Sequence, residues 1–426
     1  MQTQKPRQGY KIVKLNFGRY EEIPEDWKIE YFNDLIKFVG GTQPPRNTFV
    51  TVPRKGYIRL LQIRDFENDD HACYVKENNK LSICTKVDIL IARYGASLGR
   101  ILRGKSGAHN VALVRTVPDV SKINPNYLYF WLNSTHFQKH VQKIGDRVAQ
   151  AGFNKDDFNL LKILLPSLPE QQKIASILSN VDSLIQQTQN EIEQAQRLKK
   201  SLTQRLLTKG IGHTKFKKVK WLFGKEIEIP EEWRVTKLSE IAKIRYGLSQ
   251  PPSLDEKGIP MIRATDIKRG RIIKDKPIRI AKTSIPLSKS PFLYEGDIIV
   301  VRSGVFTGDV GLVTEEYDGS VIGYDLVITP NKEVDPKYLL EYFLSPFVQN
   351  YFISLSSRSA QPHLNSEQVG STSLLLANPD EQKMIASILF NVDSAINKLE
   401  SKGSLLETLK KGLMQKLLTG QIRPQV

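Results

Sequence analysis

The chain has 426 residues, of which 62 are Lys or Arg and 45 are Asp or Glu, so its formal net charge is +17. Its 40% hydrophobic content is too high for a disordered tail, and no run approaches the roughly 18 apolar residues of a membrane span. Two cysteines give no disulfide framework and the first residues show no signal-peptide core, so we expect a cytoplasmic protein with a polyanionic partner.

Two copies of one unit make up the sequence. The segment IPEDW at 23–27 recurs as IPEEW at 229–233, and IASILSNVDSLI at 174–185 recurs as IASILFNVDSAI at 385–396. Such a repeat decides the number of domains and therefore has to be identified before any secondary structure is assigned.

The first part of each copy predicts a mixed domain. From about residue 15 to 165, short runs rich in Val, Ile and Tyr alternate with Gly, Pro and Asn, which is typical of strands and turns with one or two helices. The strand-like DILIARYG at 88–95 recurs as DIIVVRSG at 297–304. A helix should begin after Asn124-Pro125 and again after Asp335-Pro336, since Asn or Asp is a good N-cap and Pro suits the first helical position.

The last part of each copy predicts a long helix. From Pro169 and from Pro379 an apolar heptad runs for about 40 residues, which corresponds to a helix about 60 Å long. A single amphipathic helix of this length needs a partner, and the other copy supplies one. Antiparallel pairing would relate the two copies by a pseudo-two-fold axis; the alternative is that each helix packs on its own domain.

In the heptad frame, Leu184 and Leu198 occupy d positions of the first helix. The residues that we expect at the interface of the helix pair are Ile174, Val181, Leu202, Ile385, Val392, Leu399, Leu406 and Leu413.

The sequence therefore predicts an α+β chain with an internal pseudo-two-fold repeat, in which two mixed α/β domains are joined by two long antiparallel helices that form a coiled-coil spacer. The expected boundaries are 1–165 for the first mixed domain, 166–212 for the first spacer helix, 213–376 for the second mixed domain and 377–426 for the second spacer helix.

One segment matches a nucleotide-binding motif. Gly99 to Ser106 reads GRILRGKS and satisfies the Walker A pattern, but a P-loop requires a helix that starts at the Lys-Ser pair. The strand-like VALVRT follows instead, and the second copy has no lysine in this region. We therefore predict a β-hairpin turn with exposed basic residues here.

Other catalytic or metal-binding patterns are weak. The Asn124-Pro125 and Asp335-Pro336 segments faintly resemble the Asp-Pro-Pro-Tyr motif of amino-methyltransferases, yet they are equally helix caps and no glycine-rich cofactor loop accompanies them. His71, Cys73 and Cys84 lack the paired spacing of a zinc site. We predict neither catalytic nor metal-binding residues.

The basic residues are the best candidates for a functional surface, because Lys and Arg contacts to phosphate supply affinity for nucleic acid. Positions identical in the two copies should serve folding or backbone contact: Arg93 and Arg302, Arg147 and Arg358, and Gln150 and Gln361. Positions that differ should carry base choice, since Arg can read guanine in the major groove: Arg64, Arg100, Arg103, Lys105, Arg263, Lys268, Arg269 and Arg271.

Together these motifs resemble the specificity subunit of type I restriction-modification systems over nearly the whole length. They are the Ile-Pro-x-x-Trp opening of each half, the strand that ends in Arg93-Tyr94-Gly95 or Arg302-Ser303-Gly304, the Glu-Gln entry into each long helix and the helix endings at 198–208 and 409–419. Singly they are weak, but their order, present twice, is specific.

The resemblance implies two target-recognition domains, each of which reads one half of a bipartite, non-palindromic site on double-stranded DNA. It also implies docking of two methylation (M) subunits and of restriction (R) subunits, which would bind S-adenosylmethionine, ATP and magnesium, so that this chain binds no cofactor and is not catalytic by itself. Two alternatives remain: a free-standing DNA-binding or scaffold protein built on a coiled coil, and an NTP-using enzyme that depends on Gly99 to Ser106.

Overall fold

A computed structural model describes residues 5–16, 20–146, 152–273, 276–286, 290–356 and 362–425. The chain divides into two compact units. The first unit combines residues up to 189 with those from 402 onward, and the second unit contains residues 190–401. Each long helix therefore contributes one half to each unit.

The described strands of the first unit form a hairpin (β1-β2), a pair (β12-β3) and two four-stranded sheets, ordered β6-β5-β10-β7 and β4-β11-β8-β9. Pairing is antiparallel except between β10 and β5. The strands are β1 (Tyr10–Lys14), β2 (Tyr20–Pro24), β3 (Lys28–Tyr31), β4 (Ile36–Gly40), β5 (Tyr57–Leu61), β6 (Cys73–Lys76), β7 (Ile83–Cys84), β8 (Ile89–Ala92), β9 (Ile101–Leu102), β10 (Gly107–His109), β11 (Leu113–Pro118) and β12 (Lys162–Leu165).

The helices of the first unit are α1 (Phe32–Leu35), α2 (Pro125–Leu132), α3 (Thr135–Gly145) and the first half of α4 (Leu168–Lys209). The predicted cap of α2 is present, because the Asn124 side chain accepts hydrogen bonds from the backbone N–H groups of Asn126 and Tyr127.

Aromatic packing forms the core of the first unit. The ring of Phe32 lies 5.5–5.9 Å from the rings of Trp131, Phe137 and Phe158. Ile174 on α4 and Leu417 near the chain end are buried in the same core, so the mixed domain and the helix ends fold as one body.

The second unit repeats this arrangement, with a hairpin (β13-β14), a pair (β15-β25) and sheets ordered β16-β24-β21-β22, β20-β17-β23 and β18-β19 among its described strands. The strands are β13 (Phe216–Lys220), β14 (Glu226–Pro230), β15 (Arg234–Lys237), β16 (Ala242–Tyr246), β17 (Leu254–Ile262), β18 (Ile267–Lys268), β19 (Arg271–Ile272), β20 (Ile278–Ile280), β21 (Ile298–Val300), β22 (Val310–Leu312), β23 (Val321–Ile322), β24 (Leu326–Pro330) and β25 (Ser373–Leu376).

The described helices of the second unit are α5 (Leu238–Ile241), α6 (Pro336–Leu344), α7 (Pro346–Ser356), α8 (Ser366–Gly370) and the first half of α9 (Pro379–Leu417). The Asp335 side chain caps α6, and the Asn378 side chain accepts a 3.0 Å hydrogen bond from the N–H of Glu381 at the start of α9. The Asp335 cap confirms the sequence prediction.

The halves of α4 and α9 run antiparallel within each unit. In the first unit, Asp182 contacts Lys410, and Thr188, six residues later on α4, lies 3.8 Å from the Cβ position of Gly403, earlier on α9. In the second unit, Lys199 contacts Asp393. The fold class is thus confirmed as two mixed α/β domains combined with two long antiparallel helices.

The buried face of these helices departs from the heptad frame. Leu184 and Leu198, expected at d positions, are 45% and 53% exposed, whereas Ile192 is buried. A straight α-helix drifts by about 20° per heptad relative to a 3.5-residue repeat, so one stripe cannot stay buried over six heptads. Of the residues predicted at the interface, Ile174, Val181 and Ile385 are buried, and Leu202, Val392, Leu399, Leu406 and Leu413 are half-buried.

Among the described residues, no helix combines the length and apolar character needed to cross a membrane.

Candidate nucleic-acid interface

Arg93 directly follows β8, an interior strand of the first unit. Its Nε donates a 2.7 Å hydrogen bond to the carbonyl oxygen of Phe153, and its guanidinium carbon lies 5.2 Å from the centre of the Tyr94 ring. A Cβ at position 152 would lie 2.8 Å from that ring, so the glycine at this position leaves room for the Tyr94 side chain. The arginine is therefore held at the strand end by stacking and one backbone contact.

Arg302 occupies the matching position after β21 in the second unit. Its guanidinium carbon lies 4.9 Å from the ring centre of Tyr246 and 4.6 Å from that of Tyr324. Its Nη2 donates to His363 Nε2 at 2.9 Å. Burial and the neighbouring Arg302 lower the pKa of His363, which keeps the imidazole neutral and able to accept.

The two arginines are thus held in similar places by different neighbours. Tyr94 follows Arg93 in the chain, whereas the two tyrosines around Arg302 come from β16 and from the segment before β24. A stacked guanidinium is pre-organised for a planar, bidentate acceptor such as phosphate or the guanine edge. The geometry of both sites suits contact with nucleic acid.

The basic segment 100–105 is engaged in contacts within the first unit. Arg100 Nη1 lies 2.7 Å from Glu67, Arg103 Nη1 donates to the Asn126 side chain at 2.8 Å, and Lys105 Nζ lies 2.5 Å from Asp69. Hydrogen bonds from Arg59 and then from Lys105 lower the pKa of Asp69 to about 2.

The prediction of a hairpin turn at this segment is wrong. Strand β9 pairs with β8, whereas β10 joins the other four-stranded sheet. The hairpin loop therefore precedes Ile101, and residues 103–106 link two sheets. Strand β10 follows Ser106 directly, so the helix that a P-loop requires does not start there.

The next candidates lie at two short 3-10 helices: Arg64 is within Ile63–Phe66, and Arg263 directly precedes Ala264–Asp266. Asp65 accepts a 2.6 Å hydrogen bond from the N–H of Gln62, and Asp266 accepts a 3.0 Å bond from the N–H of Arg263. These buried aspartates close equivalent turns in the two units. Arg64 is exposed, whereas the Arg263 side chain folds back to within 3.4 Å of Asp266.

The basic turn 268–271 lies beside the helical part of the second unit. Arg269 Nη1 is 3.6 Å from Glu400 on α9, and its φ of +48° lies in the left-handed region. Lys268 and Arg271 are exposed on either side. This turn lines a groove against α9, whereas Arg302 lines a different groove together with Lys243 and Arg245.

Arg147, Gln150, Arg358 and Gln361 lie outside the described residues. The residues that follow them do reach the arginine sites: Gly152 forms an isolated bridge with Tyr94, and His363 forms one with Ser303.

Sequence reasoning missed a buried glutamate at the start of each long helix. Glu170 accepts a 3.2 Å hydrogen bond from the Trp27 indole, and Arg423 Nε lies 2.9 Å from the same carboxylate. The hydrogen bond from Arg423 to Glu170 raises the pKa of that arginine. The repeated Trp and Glu could be recognised in the sequence, but nothing there indicated that the segment after α9 supplies the cation that contacts Glu170.

The second unit contains the matching contact. Glu381 accepts from the Trp233 indole at 2.9 Å and lies 2.9 Å from His213 Nε2, a residue that follows α4. In each unit, the segment after one long helix is bonded to the first turn of the other.

Each unit also has one lysine–aspartate pair between α4 and α9, with a different third residue. Lys410 Nζ lies 5.9 Å from the ring centre of Phe130, whereas Lys199 Nζ lies 3.6 Å from the carboxylate of Glu341. Burial, together with the negative charge of Asp393, raises the pKa of Glu341 to about 7 against the opposing effect of Lys199.

No group of three His, Cys, Asp or Glu side chains that could hold a metal occurs in the described ranges. Cys73 and Cys84 are buried free thiols, and burial raises the pKa of both.

Comparison with known proteins gives consistent matches. The family model of the type I restriction modification DNA specificity domain matches residues 24–194 and 230–408. The chain is 32% identical to a putative type I restriction enzyme MjaX specificity subunit of Methanocaldococcus jannaschii over 98% of both chains. It is 28% identical to the MjaVIII specificity subunit of the same organism over 94% of both.

A crystal structure of a type I restriction-modification S subunit from M. genitalium has a similar fold, with a TM-score of 0.59 at 14% identity over 94% of this chain and 96% of that one. The double match of the family model falls on the two copies of the repeat. The chain therefore belongs to the family of type I restriction-modification DNA specificity proteins.

Proposed function

We propose that this chain is the DNA specificity subunit of a type I restriction-modification complex, and that it reads a bipartite, non-palindromic site on double-stranded DNA. The family membership, the net charge of +17 and the two copies of the family domain support this function. Each unit would read one half of the site, and the long helices would fix the unread spacer between the halves.

The observation that carries the proposal is the arginine at the end of an interior strand in each unit. Arg93 and Arg302 are identical in position and both stack on tyrosine, but the side chains around them differ. A shared arginine suits the contact to the phosphate backbone that both halves need, and different surroundings suit different bases. This difference is why we expect the two half-sites to be unlike each other.

The proposed role as a specificity subunit also implies the partners of this chain. Two M subunits and R subunits would dock on this chain, and S-adenosylmethionine, ATP and magnesium would bind those partners. The chain itself would supply recognition without catalysis, in the cytoplasm. Co-purification tests this part: stable capture of a methylation subunit is expected, whereas tight specific DNA binding by the chain with no such partner would favour a free-standing scaffold.

Base-resolution mapping of methylation, in cells that carry the chain with its partner subunits, tests the proposed target. We expect modified bases in two unlike half-sites separated by a spacer of constant length. Arg302→Ala should abolish methylation of the site, while the matched control Arg234→Ala, an exposed arginine of the same unit paired with Glu333, should leave it intact. A continuous or symmetric site would refute the proposal.

A further inference from the structure

The hairpin between β21 and β22 has an apolar tip that packing does not explain. Val305 is 93% exposed and Phe306 is 43% exposed. Two adjacent apolar side chains at a loop tip form a small apolar surface that suits contact with a partner.

The tip is held firmly in place. The N–H of Thr307 bonds the carbonyl of Gly304 at 3.1 Å, and that of Gly308 bonds Val301 at 2.8 Å. Gly304 supplies the turn with a φ of +84°. A fixed loop can present a side chain to a ligand without a large loss of conformational entropy.

The tip is also continuous with the arginine site. Val305 lies three residues after Arg302. The Thr307 hydroxyl donates to the carbonyl of Gly304 at 2.7 Å and also lies 3.3 Å from the carbonyl oxygen of Pro362, which precedes His363, the acceptor for Arg302. Lys243 lines the adjoining groove with Arg302, whereas Arg245 in the same groove is paired with Asp297. Lys243 and Arg302 therefore favour an anionic partner that also offers an apolar group.

The first unit differs at this point. Its loop reads Gly95-Ala96-Ser97-Leu98, and Leu98 packs against the core of that unit. Ala96 and Ser97 stand where the second unit has Val305 and Phe306. The apolar tip is thus a property of one copy only, as expected for a residue that selects bases.

We propose that Val305, supported by Phe306, contacts the C5-methyl group of a thymine in the half-site read by the second unit. Thymine carries the apolar group that the major groove offers to a side chain without hydrogen-bonding atoms, and the phosphates on either side suit the neighbouring cations. The inference depends on the proposed function and adds a base preference to it: this half-site contains at least one thymine whose methyl group is read.

The test uses the full chain assembled with its methylation subunits and the site found by methylation mapping. Each thymine of the two half-sites is replaced in turn by deoxyuridine, which removes the methyl group alone. We expect one replacement to weaken binding about four-fold, as for the loss of one buried methyl-sized group. The Val305→Ser variant should bind the duplex with that thymine and the duplex with deoxyuridine equally. The control variant Leu160→Ser, which changes an 81% exposed residue of the first unit, should keep the four-fold preference for thymine.

Each outcome decides the matter. Deoxyuridine replacements that all leave binding unchanged, or a preference that persists in Val305→Ser, would overturn the inference while specific binding upheld the proposed function. A half-site without thymine would overturn it as well. Loss of methylation-subunit capture in Val305→Ser, with DNA binding retained, would show that a protein covers the tip. Absence of sequence-specific binding by the assembled complex would refute the proposed function and the inference together.

Discussion

Glu341 should make the stability of the second unit depend on pH. Its side chain, on α6, is 6% exposed and shares Lys199 with Asp393. Burial raises its pKa from 4.5 to about 7. The unfolded chain therefore loses this proton at a lower pH than the folded chain, and the folded unit loses stability as the pH rises from about 4.5 to about 7.

The size of the effect follows from the two pKa values. A difference between 4.5 and about 7 corresponds to roughly 3 kcal/mol at 1.36 kcal/mol per pKa unit. Glu341→Gln keeps the shape but does not ionise, so it should match the natural chain near pH 4.5 and exceed its stability by about 3 kcal/mol at pH 8. For a unit of this size, that gain corresponds to a urea midpoint higher by about 1 M.

Urea unfolding read by pulsed hydrogen exchange, with mass spectrometry of the peptides of each unit, measures this effect. The first unit supplies a reciprocal control, since Phe130 occupies the matching place beside Lys410. Phe130→Glu should give the stability of the first unit a similar pH dependence. If Glu341→Gln kept the pH dependence of the natural chain, or if the second unit of the natural chain were insensitive to pH between 5 and 8, the reasoning would be refuted.

Three further predictions concern single contacts. Arg423→Ala leaves the buried carboxylate of Glu170 without its cation and should lower the free energy of unfolding of the first unit by about 2 kcal/mol, measured by the same urea experiment. Gly247→Ala places a Cβ 2.0 Å from a facing backbone carbonyl oxygen and should destabilise the second unit by about 3 kcal/mol, whereas the control Gly412→Ala, with open space around it, should not destabilise its unit. Lys105→Ala should retain assembly with partner subunits and should lose no activity that depends on nucleotide, which co-purification and nucleotide-binding assays would check. Nucleotide binding that depended on this lysine would instead support a P-loop at Gly99 to Ser106.

The sequence predicted those features of the fold that depend on local pattern. Asn124 and Asp335 cap helices as expected, because a cap depends on residues within one turn. The face that each long helix buries was predicted less well. Leu184 and Leu198 are exposed because helix drift and the partner segment, not the heptad alone, decide burial.

The candidate site could also be predicted from the sequence only in part. Arg93 and Arg302 were found because the repeat places the same residue at the end of the same strand. The acceptors that engage Arg100 and Lys105 could not be found from the sequence, since Glu67 and Asp69 lie 33 and 36 residues away and come close only in the folded unit. A basic run in a sequence therefore overstates the positive charge that the folded surface offers, because part of it is neutralised by contacts within the unit.

The contacts shared by the two units show how the copies diverged. Glu381 keeps the tryptophan bond that Glu170 makes, but its cationic neighbour is His213 where the first unit has Arg423. Phe130 beside Lys410 and Glu341 beside Lys199 differ in the same way, because the lysine–aspartate pair is kept and the third neighbour is different. In both places the contact that joins the helical segments to the rest of the unit is preserved, and one neighbouring side chain has changed.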